Sequence, residues 1–339
     1  MSIQAELQAT IQELVQPGKG VLAADESNPT IAKRFKAVGV ESTEAKRQEY
    51  RSTIFSAPGL GDHISGVMLF AETLEQKNLD GVAMPDMLIQ QGIVPGIKVD
   101  QGKGPLAHAP DEEVTFGLDG LEQRLADAKK LGARFAKWRC VFHITNTLPT
   151  DLAVDANAET LARYAAICQS LGIVPIVEPE VLIDGAHSIE RSAEVNEKVF
   201  RGVFSKLILH RVSLERMILK PSMVTPGKES QNATPEQVAE ATIRTFRRCV
   251  PAAVPGIFFL SDGQTPEEAT QNLNAMNQHS NLPWTMTFSY GRALQEPAQH
   301  AWRGDLSNRD AAHKAMAKRA RLNGTAALGS YATEMENED

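Results

Sequence analysis

Lys220 stands near the end of an apolar run, Glu215-Arg-Met-Ile-Leu-Lys-Pro-Ser-Met-Val224. A lysine becomes a nucleophile near neutral pH when burial or a second cation destabilises its ammonium. Lys137 and Arg139, at the end of another apolar run, can supply that cation. Glu178 and Glu180 alternate within Ile173-Val-Pro-Ile-Val-Glu-Pro-Glu180, so on a strand their side chains leave the same face. Two carboxylates beside lysines can be driven to different pKa values, one donating a proton while the other accepts or orients. Asp25 closes Gly20-Val-Leu-Ala-Ala-Asp25 and offers a further base. Each group also has a plainer reading. Lys220 and Glu178 can form a pair that merely caps the fold, the glutamates can belong to an ion-pair network, and Asp25 can cap the next helix.

Anion recognition has two candidate places. Ser261, Asp262, Gly263, Ser289, Gly291 and Arg292 stand at the carboxyl ends of the last two apolar runs. Glycine lets backbone amides approach an anion, and arginine offers a forked donor. Ser27, Lys33, Arg34 and Lys98 form a second cationic group, following the first and third runs. Two anion sites on opposite sides of a lysine suit a bisphosphate, although glycine-rich turns and basic helix faces also occur without a ligand.

The elements that must position these groups repeat about eight times. Gly20–Asp25, Ile64–Phe70, Ile93–Asp100, Arg134–Cys140, Ile173–Pro179, Glu215–Val224, Gly256–Gly263 and Trp284–Arg292 are short apolar segments separated by longer periodic ones. Strands buried on both faces read as continuous apolar runs, and helical crossovers between them imply a parallel sheet. Eight such units predict an α/β fold, a single (β/α)8 barrel, whose active site lies at the carboxyl ends of the strands. Residues 1–16 read as an amphipathic helix, and helices are expected over 43–50, 119–131 and 160–171. Capping boxes open two more, at Thr234-Pro-Glu-Gln237 and Thr265-Pro-Glu-Glu268. The second puts helix N-terminal amides just beyond Ser261-Asp-Gly263.

No linker interrupts the alternation, so residues 1–333 read as one barrel domain, with 334–339 as a short acidic tail expected to be disordered. A net charge of -7 argues against a general nucleic-acid binder and leaves small molecules as partners. No apolar run approaches the roughly 20 residues of a membrane helix. No signal sequence is recognisable, and Cys140, Cys168 and Cys249 are few, odd in number and far apart, which suits free thiols in the cytoplasm. The eight histidines show no ligand spacing of the kind zinc sites use, so neither a metal nor another cofactor is expected.

These residues resemble class I fructose-1,6-bisphosphate aldolases from about Gly18 to Tyr331. The segments that carry the resemblance are Gly20-Val-Leu-Ala-Ala-Asp-Glu-Ser27, Gly96-Ile-Lys-Val-Asp100, Phe135-Ala-Lys-Trp-Arg-Cys140, Ile173 to Glu180, Leu219-Lys-Pro-Ser-Met-Val-Thr-Pro-Gly227 and Thr287-Phe-Ser-Tyr-Gly-Arg-Ala-Leu294. The resemblance implies that Lys220 forms a Schiff base with the substrate ketone. Glu178 then exchanges protons during carbinolamine formation and dehydration, Lys137 stabilises developing charge, Asp25 takes the hydroxyl proton and Glu180 tunes the neighbouring lysines. It implies that Ser261, Gly263, Ser289, Gly291 and Arg292 hold the phosphate nearest the ketone, and Ser27, Arg34 and Lys98 the far one. Arg139 joins the substrate-binding set. The implied substrates are a sugar bisphosphate and triose phosphates, the implied assembly a homotetramer.

Two departures stand out. Asp262 occupies a position where animal relatives carry glycine, and the chain stops at Asp339, without the longer mobile tail whose terminal tyrosine assists proton exchange in many relatives. Two other readings stay open: another lysine aldolase of the transaldolase kind, which needs only one strong phosphate site, and a catalytically silent interaction protein.

Overall fold

The apolar runs form strands because β-branched and aromatic side chains fit a pleated, buried surface. The computed structural model describes residues 2–261 and 263–338. Its barrel strands are β1 (Gly20–Ala24), β2 (Ile64–Leu69), β3 (Val94–Lys98), β4 (Phe135–Phe142), β5 (Val174–Val181), β6 (Ile218–Leu219), β7 (Gly256–Phe259) and β8 (Thr285–Tyr290). They pair in parallel in chain order, and β8 closes on β1. The fold is the expected (β/α)8 barrel.

Alternation along each strand divides the core in two. Val21, Met68, Val94, Phe135, Val174, Ile176, Ile218 and Phe258 form one buried cluster with Leu7, Ile11 and Leu14 of the helix Ile3–Leu14. The amphipathic helix expected near the start of the chain therefore plugs the barrel at the end opposite the mouth. Phe135 fits inside because Gly96 faces it, and a Cβ there would stand only 2.2 Å from the ring. The larger cluster fills the layer between strands and outer helices. On the outward positions of β4 and in the helix that follows it, Trp138 and Tyr164 meet at 5.5 Å, and the Tyr164 hydroxyl donates to Ala136 O at 2.6 Å.

Helix starts follow the capping signals. Thr43 accepts from Lys46 N, and both capping boxes form, Thr234 with Gln237 and Thr265 with Glu268. Four features differ from expectation. The helix predicted from Thr160 begins at Asp151, with Thr150 as its N-cap. Its first turns, Asp151-Leu-Ala-Val-Asp-Ala-Asn-Ala-Glu159, are alanine-rich and polar, so the apolar stripe emerges only near Leu161. An antiparallel hairpin, Lys103–Pro105 with Glu113–Thr115, lies in the loop after β3. Its three-residue strands are too short to show alternation. β6 is shorter than its apolar run because Pro221 has no N–H for the ladder.

The acidic residues 334–339 suggest a disordered tail, but Thr333–Asn337 form a 3-10 helix. Buried Arg319 requires a counter-charge, and Glu336 supplies it while accepting from Tyr331 OH at 2.9 Å. Among the described residues, no helix is long and apolar enough to cross a membrane.

Candidate active site

Register brings the charges together. In parallel pairing Lys98 lies opposite Lys137, and Arg139 opposite Glu178. The Lys220 amide still donates to Val177 O at 2.8 Å, which sets its side chain level with Glu178. Glu178 stands between two ammonium groups, 3.0 Å from Lys220 Nζ through Oε1 and 3.2 Å from Lys137 Nζ through Oε2. Lys137 has Asp25 on another side, at 3.0 Å, and Asp100 at 4.0 Å. Asp100 in turn holds Lys98, whose Nζ lies 2.6 Å from its Oδ1. Arg139 pairs with Glu180. Lysines and carboxylates thus alternate across the mouth, and Lys220, Lys137, Asp25, Glu178 and Glu180 are all buried.

Burial by itself disfavours each charge, so the ionic state depends on the partners. For Asp25, burial is outweighed by Lys137, Lys220 and Lys98 together, and the carboxyl is held down at about 2. Burial likewise opposes ionisation of Glu178, but Lys137, Lys220 and Arg139 hold its pKa below the ordinary value. Lys137 shows the converse: burial works against its ammonium, yet Asp25, Glu178 and Asp100 hold its pKa well above the usual lysine range. Asp25 does not cap the next helix, because Ser27 occupies the N-cap of Asn28–Ala37. The cation paired with Glu180 is Arg139.

These groups open onto a cavity of about 1010 Å³. Its wall includes Asp25, Lys137, Arg139, Glu178, Glu180 and Lys220, together with Ser261, Gly263, Ser289, Gly291 and Arg292 from the last two units, and Ser27 and Arg34 from the helix start after β1 and Lys98 from the end of β3. Asp262 lies outside the described residues. Lys33 is exposed and is not part of the wall.

The first cradle is built for close approach. Gly263 takes φ +69°, a conformation costly for any residue with a Cβ, and an added Cβ would press on the end of the Ile183 side chain. The buried Ser289 hydroxyl has no hydrogen-bond partner among the described residues. Arg292 donates to Gln264 O at 2.9 Å, joining the loop after β7 to the turn after β8. In the second group Arg34 and Lys98 are each already paired, with Glu26 and Asp100.

Asp100, Glu26 and Thr115 also line the wall without having been singled out from the sequence. Asp100 was legible as a carboxylate two residues beyond Lys98. Thr115 was not, because it reaches Arg139 O at 2.8 Å through the unforeseen hairpin.

A family model described as Fructose-bisphosphate aldolase class-I matches residues 6–339. The chain belongs to the class-I fructose-bisphosphate aldolase family. A probable fructose-bisphosphate aldolase class 1 of Xanthomonas campestris is 50% identical over 333 residues, covering 98% of this chain and 99% of that protein. The cytoplasmic isozyme of Spinacia oleracea is 51% identical over 327 residues, 96% of this chain and 92% of its own. The aldolase of Plasmodium falciparum, solved in a ternary complex with TRAP and a small-molecule inhibitor, matches with a TM-score of 0.96 and 49% identity. That match covers 97% of this chain and 96% of the other. Membership of the aldolase family extends over the whole barrel, the cavity wall included.

Proposed function

We propose that this chain cleaves fructose 1,6-bisphosphate reversibly to dihydroxyacetone phosphate and glyceraldehyde 3-phosphate, through an imine on Lys220. The observation that carries this reading is the Glu178 carboxylate shared by Lys220 and Lys137, with Asp25 on the far side of Lys137.

An ammonium so paired must lose a proton before it can attack, and Glu178 is the acceptor within reach. The free amine adds to the ketone to give a carbinolamine. Glu178 then returns the proton to the departing hydroxyl, which leaves as water, and a protonated imine remains. Asp25 takes the proton of the C4 hydroxyl. The C3–C4 bond breaks, its electron pair moves into the imine to give an enamine, and the aldehyde leaves. Protonation of the enamine carbon and hydrolysis release the ketone and restore Lys220. Lys137 stays cationic throughout, offsetting negative charge on the substrate oxygens. Glu180 holds Arg139 beside Glu178 and so contributes to the field that keeps Glu178 ionised.

Ser261, Gly263, Ser289, Gly291 and Arg292 take the phosphate nearest the ketone, and Ser27, Arg34 and Lys98 the far one. The proposal includes a cytoplasmic setting, supported by three free cysteines and by the spinach cytoplasmic relative. It also includes a homotetrameric assembly, which light scattering would read directly.

Borohydride reduction in the presence of dihydroxyacetone phosphate should trap the substrate on Lys220, read by peptide mapping. A label on another lysine would sink the assignment. Cleavage of the bisphosphate should persist in excess chelator, and its disappearance would point to different chemistry.

A further inference from the structure

The carboxylate next to Asp25 takes no part in the steps above, yet it is among the most enclosed charges in the molecule. The Glu26 side chain is 4% exposed. Its Oε1 accepts from the Arg34 guanidinium and, at 2.7 Å, from Gln295 Nε2. The same amide nitrogen donates to Ala23 O at 2.8 Å, while Gln295 Oε1 accepts from Tyr50 OH at 3.2 Å, so the amide is held at both ends. Behind the carboxylate, Arg51 is 1% exposed, donates to Glu26 O at 2.9 Å and lies 3.7 Å from Oε2. Arg51 is fixed in its turn by Thr73 Oγ1 at 2.6 Å and faces Glu72 at 3.6 Å.

Gln295 belongs to the helix Arg292–Trp302, which begins at the Gly291 turn. A Cβ added to Gly291 would stand 3.6 Å from Arg34 Nη2. Arg34 therefore sits where the loop after β1 meets the turn after β8, between the Ser27 side of the cavity and the Gly291 side. A partly exposed arginine left to itself samples many rotamers, and a ligand that recruits it must restrict them. A buried carboxylate, itself fixed from behind, imposes that restriction before the ligand arrives.

We propose that Glu26 is a positioning residue for the phosphorylated substrate. Held by Gln295 and Arg51, it fixes Arg34 at the seam between the two phosphate cradles, so that the ligand meets a guanidinium already in place. This inference rests on the sugar-phosphate reading of the cavity given above.

The test is a cycle of Glu26→Gln, Arg34→Ala and the double variant, read as KM and kcat for fructose 1,6-bisphosphate, with thermal melting to establish folding. Glu26→Gln should raise KM about threefold to tenfold while kcat stays within about twofold, the pattern of lost binding that is uniform along the reaction. Because Glu26 acts through Arg34, the double variant should have the KM of Arg34→Ala alone. Effects that multiply in the double variant, or an unchanged KM in folded Glu26→Gln, would overturn the proposal. Glu26→Asp keeps a counter-charge for Arg51 but withdraws the carboxylate from Arg34. It provides the same reading should Glu26→Gln not fold: a raised KM supports positioning, and a wild-type KM overturns it. If the wild-type protein does not cleave the bisphosphate at all, the sugar-phosphate reading fails first and takes this inference with it.

Discussion

Lys220 and Lys137 share Glu178, but of the two it is Lys137 that pairs directly with Asp25, at 3.0 Å, and that asymmetry separates two stages of the proposed reaction. Imine formation needs the Lys220 amine and a proton shuttle on Glu178. Bond cleavage needs a base for the C4 hydroxyl, and the neighbouring lysines keep Asp25 ionised at neutral pH by holding its carboxyl at about 2. Asp25→Asn preserves shape and removes the base, while Lys137 keeps Glu178 and Asp100 as partners. A positioned general base typically contributes about 10²- to 10⁴-fold, so cleavage should fall by that range in steady-state assays. Borohydride trapping with dihydroxyacetone phosphate should persist in the variant. Loss of trapping together with cleavage would contradict the division of roles.

At the scale of elements, two capping boxes of the same kind allow a controlled comparison. Thr265 caps the helix Pro266–Asn277 just beyond Ser261 and Gly263, whereas Thr234 caps Pro235–Cys249, a helix that contributes none of the described residues of the cavity wall. Replacing an N-cap threonine by alanine costs about 1 kcal/mol, so Thr265→Ala and Thr234→Ala should lower the urea midpoint similarly. Only Thr265→Ala should also raise KM for the bisphosphate, because only that helix start borders the proposed phosphate loop. A KM rise in both variants would mean that general loosening, not the cradle, is being read. The capping boxes show how far local chemistry reaches. Thr-Pro-Glu-Gln and Thr-Pro-Glu-Glu specify a helix start on their own, since a hydroxyl, a φ-restricted proline and a returning side chain satisfy the first amides. By contrast, the helix start at Asp151, capped by Thr150, was not legible, because the residues it buries in its first turns, Ala153, Val154, Asn157 and Ala158, are mostly small and make a weak apolar stripe.

For the molecule as a whole, the buried ion array ties stability to pH. The Asp25 carboxyl is ordinarily near 3.8 and is held at about 2, so its contribution is complete above the ordinary value and is lost as pH falls toward the lower one. For this buried group the shift corresponds to on the order of 2 kcal/mol. Glu178 acts in the same direction. Stability to urea should therefore hold from neutral pH to about 5 and decline below about 4. In Asp25→Asn the decline between about pH 4 and pH 2 should be shallower. An unchanged slope would show that Asp25 is not held by the lysines.

Local sequence by itself determined the eight strand runs, the helix starts marked by capping boxes and the residue types at the strand ends. All three depend on neighbours within a few positions: side-chain shape, capping geometry, and the cost of placing a charge on an apolar run. Asp25, Lys137, Glu178 and Lys220 were therefore recognisable as a set. Only the tertiary structure decided who pairs with whom. Lys220 sits level with Glu178 because of the β5–β6 register, and Lys98 opposite Lys137 because of the β3–β4 register. Arg34 borders Gly291 because β8 closes on β1 from the far end of the chain. Helix Ile3–Leu14 shows the same limit, since its apolar stripe was visible but not that a barrel interior would receive it. Register and closure are properties of the assembled barrel, and no window of sequence contains them.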